Sequence, residues 1–309
     1  MRCGSGQALP AEALPGLLPA GAWMRSDAML KQRIVTALLL VGVLLGSLAQ
    51  ASLWPFALVT LLLMAAAGWE WCRLNHAGSF MAVGLGVVVA LAGAVALVGP
   101  WAAHAPSGVW WLTAGLWAAG GAVALRSGPS AWPNVPRAAR WAIGVLGLWA
   151  AWLALSNARA IGINYLLSML CLVWMADVAA YFGGRAIGRR KLALAISPGK
   201  SWEGVWSGMA GVLLLSLLWM WLDRRFSFDS ASLYTRLQDS LGWGGMLLAL
   251  VVLTGFSVVG DLIESLVKRA AGAKDSSRLL PGHGGVLDRV DALLPVMPLA
   301  LALTTLGSR

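Results

Sequence analysis

Five of the chain's 13 carboxylates, Asp261, Glu264, Asp275, Asp288 and Asp291, fall within about thirty residues of one another. Acids held beside apolar segments are costly, so such a cluster marks a functional site, and a hard cation is its natural ligand. The stretch reads GDLIESLVKRAAGAKDSSRLLPGHGGVLDRVD. Asp261, Glu264, Ser265 and Lys268 stand at i, i+3, i+4 and i+7 and so share one helical face. Asp288 and Asp291, three apart, share the face that opens the following helix. Between them PGHGG, Pro281 to Gly285, cannot be regular helix. Its glycines permit unusual backbone angles and let amide N–H groups approach an anion. Two helix ends carrying acids, flanked by Lys268, Arg269, Lys274, Arg278 and Arg289, could hold Mg²⁺ and a polyphosphate together. His283, set between glycines, is either a phosphate contact or a residue that orders the turn.

A second polar cluster runs from Asp177 to Gly204, DVAAYFGGRAIGRRKLALAISPGKSWEG. Asp177 lies inside an apolar run, where a carboxylate must face a partner or a water-filled cavity. Ser197 and Pro198 read as a helix start, and Glu203 as the opening of the next membrane helix. The GKS of Gly199 to Ser201 resembles the end of a P-loop, but that motif needs glycine where Leu194 stands and a preceding strand. Gly184 with Gly188 and Gly204 with Gly208 are GxxxG pairs suited to close helix packing. His76 and His104 are solitary.

The elements that must position these residues are membrane helices. Apolar residues make up 59% of the chain and charged ones 12%, against roughly 25% charged in soluble domains. The 18 Trp beside 6 Phe and 3 Tyr fit many helix ends at a membrane interface. Nine stretches have the length of a bilayer crossing: Ile34–Leu53, Pro55–Cys72, Phe80–Val98, Val109–Leu125, Trp141–Ser156, Ile161–Phe182, Glu203–Leu222, Trp243–Asp261 and Val290–Leu306. The expected fold is therefore an all-α, polytopic membrane protein, with residues 29–160 an N-terminal helical region and 161–309 the catalytic one. With the N-terminus inside and the first 28 residues left aside, Lys and Arg divide 16 to 5 in favour of the cytoplasmic side, which predicts cytoplasmic site loops and an external C-terminus. The net charge of +10 is thereby assigned to topology and anionic headgroups rather than nucleic acid. Cys3, Cys72 and Cys171 have neither disulfide-framework nor zinc spacing. Residues 1–28, rich in Gly, Pro and Ala, read as an upstream extension or disordered tail, since MLKQRIVTALLLVG from Met29 is a basic start leading straight into a membrane helix.

These motifs resemble the phosphatidate cytidylyltransferase family. Its signature stands without a gap as Ser265, Lys268, Arg269, Lys274, Asp275, Pro281, His283, Gly284, Gly285, Asp288, Arg289 and Asp291. Upstream, Asp177, Ala180 and Tyr181 match, as do Ser197, Pro198, Lys200, Glu203 and Gly204. The resemblance implies CTP and phosphatidate as substrates, CDP-diacylglycerol and pyrophosphate as products, and Mg²⁺ as cofactor, with a second cation left open. It implies Asp261 and Asp288 as metal ligands, with Asp291 and Asp275 as weaker candidates, and Lys268, Arg269, Lys274 and Arg289 as phosphate contacts. Asp177, Ser197, Lys200, Ser201, Glu203, Gly284 and Gly285 are implied around the substrates. It further implies a homodimer in the cell inner membrane. A secondary transporter would gather its polar residues at mid-depth of several helices, whereas these gather at one end. A CDP-alcohol phosphatidyltransferase would carry DGxxAR, which is absent. A cytidylyltransferase for another lipid phosphate would share the metal and CTP sites.

Overall fold

The computed structural model describes residues 22–307. Its helices are α1 (Ala22–Leu48), α2 (Leu53–Leu74), α3 (Ser79–Val98), α4 (Ser107–Ser127), α5 (Arg137–Ile161) and α6 (Ile163–Ile187). A hairpin follows, β1 (Lys191–Ala193) with β2 (Ser197–Ser201), then α7 (Trp202–Arg225), α8 (Leu233–Ala270), the single turn α9 (Leu287–Val290) and α10 (Leu293–Thr304). Among the described residues eight segments, α2 to α8 and Leu287–Gly307, are long and apolar enough to cross a membrane. The expected nine are not matched in full, because the apolar part of α1, Ile34–Leu48, is short. Two predicted boundaries also move. The first span was to reach Leu53, but the chain leaves helix after Leu48 and Ser52 caps α2 through the Trp54 amide. At the other terminus α1 begins at Ala22, so Ala22–Ala28, assigned by sequence to the extension, are helical; residues 1–21 of that extension lie outside the described residues.

Short connections make successive helices antiparallel, and the ends of the bundle differ in chemistry. One end gathers the C-termini of α2, α6 and α8 with the N-termini of α7 and α9, and it carries the motifs. At the opposite end Arg159 donates to the Gln50 carbonyl at 2.7 Å, tying α5 to the α1–α2 turn. There Asp223 and Asp229 accept from Asn164, Ser232, Thr235 and the Ile163 amide, closing the α5–α6 and α7–α8 connections.

The core runs through α2, α5 and α10. Residues Ala151–Ala154 of α5 and Val296–Met297 of α10 are fully buried. Helices α6 and α7 pack closely at the expected glycines: a Cβ on Gly204 or Gly208 would stand 2.9 Å from the Ala180 or Ala176 carbonyl oxygen. Tryptophan departs from the interface expectation in part. Trp71, Trp132 and Trp152 are buried and donate to the Arg140 carbonyl, Asn75 Oδ1 and the Ala57 carbonyl, locking loops and helices instead of meeting headgroups.

Helix α8 is the element that matters most for the site. It breaks at Gly242, where φ is +69°, a left-handed value that glycine tolerates. The run after Gly242 is about 42 Å long at 1.5 Å per residue. That exceeds the roughly 30 Å hydrocarbon core, so a helix of this length extends past a slab of that thickness.

Candidate active site

The segment read as a helix start at Ser197–Pro198 is instead a strand. Ser197 pairs with Ala193 and Ser201 with Lys191 in an antiparallel hairpin, and α7 begins only at Trp202 with Ser201 as its N-cap, accepting from the Gly204 amide at 3.2 Å. Local sequence cannot specify so short a hairpin; tethers do. Glu203 accepts from the amides of Arg189 and Arg190 at 3.0 to 3.2 Å, fixing the turn out of α6. Arg269 on α8 donates from Nε to the Ile196 carbonyl at 3.3 Å and from Nη1 to the Ala273 carbonyl at 3.2 Å. Glu203, Ser201 and Arg269 thus also shape the hairpin that presents its neighbours, and Ser201 lines the cavity as well.

The presented neighbour is Lys200. Its Nζ lies 2.5 Å from Asp261 Oδ2, with the two side chains 25% and 30% exposed. The pair borders a cavity of about 520 Å³ between α6, α7, α8 and β2, lined also by Asp177, Tyr181, Arg185, Ser197 and Thr254. Ser265 donates to Asp261 at 3.3 Å, as the i, i+4 spacing requires. Asp291 is within Coulombic range of Asp261, Asp177 and Lys200. Three carboxylates and one ammonium therefore face the same region.

Around the same end of α8 lies a second, tightly packed cluster. Lys268 Nζ contacts Glu264 Oε2 one turn back and Asp288 Oδ1 at 2.7 Å. Asp288 also accepts from the Gly285 amide at 2.8 Å, the Ser276 hydroxyl at 3.0 Å and the Ser276 amide at 3.1 Å. The PGHGG turn needs its glycines here. Gly282 and Gly284 have φ of +77° and +83°. A Cβ on Gly285 would meet Ser276 Oγ and both Glu70 carboxylate oxygens. Arg289 donates to the His283 carbonyl at 2.8 Å, and the His283 amide to the Leu280 carbonyl at 2.9 Å, so both residues brace the turn. His283 Nδ1 is buried with no hydrogen-bond partner. Lys274 and Asp275 are exposed just before the turn.

The predicted residues thus fall into two groups. Asp177, Ser197, Lys200, Ser201 and Asp261 line the cavity, with Asp291 half-buried and within Coulombic range of Asp261, while Lys268, Asp288, Gly284, Gly285, His283 and Arg289 form the packed turn beside it. Among the described residues no three His, Cys, Asp or Glu side chains are arranged to enclose a metal ion. Asp288, expected as a ligand, has its oxygens taken by Lys268, Ser276 and Gly285. Asp261 and Asp291 carry fewer bonds, and oxygen donors with surplus negative charge suit a hard cation.

One residue escaped the sequence reading. Glu70 on α2 is fully buried and accepts four hydrogen bonds from residues 276–287. It is the one acid in the apolar run Pro55–Cys72, so the rule that marked Asp177 also applied to it.

A multi-helix membrane protein with a cationic and acidic pocket at one end is suited to handling a phosphorylated lipid beside the bilayer. The chain belongs to the cytidylyltransferase family, whose model matches residues 31–306. It is 39% identical over 292 residues to a phosphatidate cytidylyltransferase of Pseudomonas aeruginosa, an alignment covering 89% of this chain and 97% of that protein. A Haemophilus influenzae protein of the same name is 46% identical over 137 residues, 44% of each chain. One from Brucella suis is 47% identical over 133 residues, covering 43% of this chain and 44% of that protein.

Proposed function

We propose that the protein transfers a cytidylyl group from CTP to phosphatidate, giving CDP-diacylglycerol and pyrophosphate. The observation that carries this is the cavity bordered by the Lys200–Asp261 pair, lined by the upstream residues that match the family, Asp177, Ala180, Tyr181, Ser197, Lys200 and Gly204, at the motif-bearing end of the bundle. A lipid phosphate reaching the end of the bundle and a nucleotide arriving from water meet at that level.

A phosphatidate oxygen attacks the α-phosphorus of CTP; the bond to the β-phosphoryl oxygen breaks and pyrophosphate leaves with that electron pair. Phosphatidate is already anionic, so no general base is required. The protein's task is to hold two anions in line and offset their charge. Lys200 and Arg185 supply positive charge inside the cavity, and Lys274 supplies it from the turn. The main-chain braces from Glu203 and Arg269 keep Lys200 aimed at the cavity. Asp261 and Asp291 would be the protein's oxygen donors to Mg²⁺, with phosphate oxygens of the substrates filling the other positions, and the ion when bound would neutralise charge on the pyrophosphate. A homodimer in the inner membrane, with the site end cytoplasmic, completes the reading; the 16 to 5 distribution of Lys and Arg supports that orientation.

The test is incorporation of label from CTP into a chloroform-soluble product by purified protein given phosphatidate and Mg²⁺. Product with phosphatidate but not with a polyprenyl phosphate supports the reading. No product with any lipid phosphate refutes it.

A further inference from the structure

We infer that Glu70 is a positioning residue of the catalytic end, fastening the 276–287 turn to α2 and so setting Asp288 and Lys268. The inference rests on the cytidylyltransferase reading. Glu70 is 0% exposed, one turn before the end of α2, and no Lys, Arg or His forms an ion pair with it among the described residues. A buried carboxylate without a cation is tolerated only when fully hydrogen-bonded. Its four donors all come from one distant segment. Oε1 accepts from the Ser277 hydroxyl at 2.5 Å and the Val286 amide at 3.0 Å. Oε2 accepts from the Leu287 amide at 2.7 Å and the Ser276 hydroxyl at 3.1 Å.

Ser276 connects this anchor to the site. Its hydroxyl lies between Glu70 and Asp288, 3.1 Å from one carboxylate and 3.0 Å from the other, and its single proton serves one of them at a time. The Ser276 amide serves Asp288 in either case, at 3.1 Å. Asp288 in turn holds Lys268. A chain of polar contacts, Glu70–Ser276–Asp288–Lys268, therefore runs from a helix that carries no signature residue into the signature itself. Ser276 Oγ and both Glu70 oxygens press on Gly285, which is why no side chain fits there.

Glu70→Gln keeps the shape but replaces one acceptor oxygen by a donor facing donors. Turnover is expected to fall on the order of a hundredfold while KM for CTP stays within about threefold, because neither Glu70 nor Ser276 lines the cavity between α6, α7, α8 and β2. Glu70→Asp, which keeps the charge, is expected to restore part of the turnover. Combined with Ser276→Ala, the loss should be less than the product of the two single losses, since both act on one chain. Wild-type turnover per folded Glu70→Gln molecule overturns the inference. So does a loss explained wholly by a smaller folded fraction. If the wild-type protein makes no product at all, the cytidylyltransferase reading fails, and the anchor is judged by trypsin cleavage after the exposed Lys274 and Arg278. Faster cleavage in Glu70→Gln than in wild type upholds it, and equal cleavage overturns it.

Discussion

Asp288→Asn separates the two clusters in one measurement. In the native protein Asp288 is 8% exposed and accepts from Lys268 at 2.7 Å, Gly285 at 2.8 Å and Ser276 at 3.0 and 3.1 Å. The asparagine amide keeps one acceptor oxygen and turns an NH₂ group toward donors. A hydrogen bond to a charged group is worth about 1.5 to 3 kcal/mol, and two are lost or inverted. Lys268 retains Glu264, so the ammonium is not stranded and the roughly 3 to 5 kcal/mol cost of an orphaned buried charge is not reached. A net loss of about 3 kcal/mol in holding the turn corresponds to about a hundredfold in turnover. The assay is labelled CTP into chloroform-soluble lipid, with thermal unfolding in detergent measured on the same preparation. Turnover within about threefold of wild type, with the fold intact, would refute the role assigned to Asp288.

Three further outcomes are expected. Gly285→Ala places a Cβ 1.9 Å from Ser276 Oγ and 2.7 and 2.8 Å from the Glu70 oxygens, and should destabilise by about 2 kcal/mol or more, whereas Gly255→Ala, with nothing within 4 Å, should leave the melting temperature unchanged or slightly raised. Lys200→Met removes a partly exposed ion pair, so stability should change by less than about 1 kcal/mol while turnover falls about tenfold or more; equal loss of both would place Lys200 in the framework. Chelation with EDTA should abolish product without unfolding the protein, and added Mg²⁺ should restore it; unchanged turnover in EDTA would remove the cation from the scheme.

The acids of the C-terminal stretch were legible because their spacing is helical and local. Asp261 does bond Ser265, and Glu264 does pair with Lys268, as i, i+4 neighbours on a long helix must. The hairpin was not legible for the opposite reason. Ser-Pro before a helix is a common cap signal, and only Glu203 gripping two distant amides and Arg269 gripping Ile196 hold those residues extended. Glu70 sits between the two cases. Its oddity was visible as an acid in an apolar run, but its partners lie 206 to 217 residues away, beyond any local pattern. Arg289 shows a further role that its type did not announce: a cation beside a glycine turn suggests phosphate, and the same guanidinium also satisfies the His283 carbonyl.

The two clusters differ in how complete they are, and that difference assigns their work. On the packed side Glu264 and Asp288 share the Lys268 ammonium, and serine hydroxyls and main-chain amides supply the remaining donors to Asp288 and all four donors to Glu70. The donors to Glu70 and Asp288 thus come from the protein itself, and changing either acid should cost both stability and turnover. On the cavity side Asp177, Asp261 and Asp291 also face one ammonium, yet the hydrogen bonds reaching Asp261 and Asp291 among the described residues come from Ser265 and from the adjacent Ala292 amide. The negative charge left over there is what the proposed cation and its phosphates would complete. Substitutions at Asp177, Lys200 or Asp261 should therefore alter dependence on CTP and on Mg²⁺ while leaving the melting temperature nearly unmoved. Variants at Glu70, Ser276 or Gly285 should lower it, and that contrast, read across both sets in one detergent, decides whether α8 divides a frame from a reaction chamber.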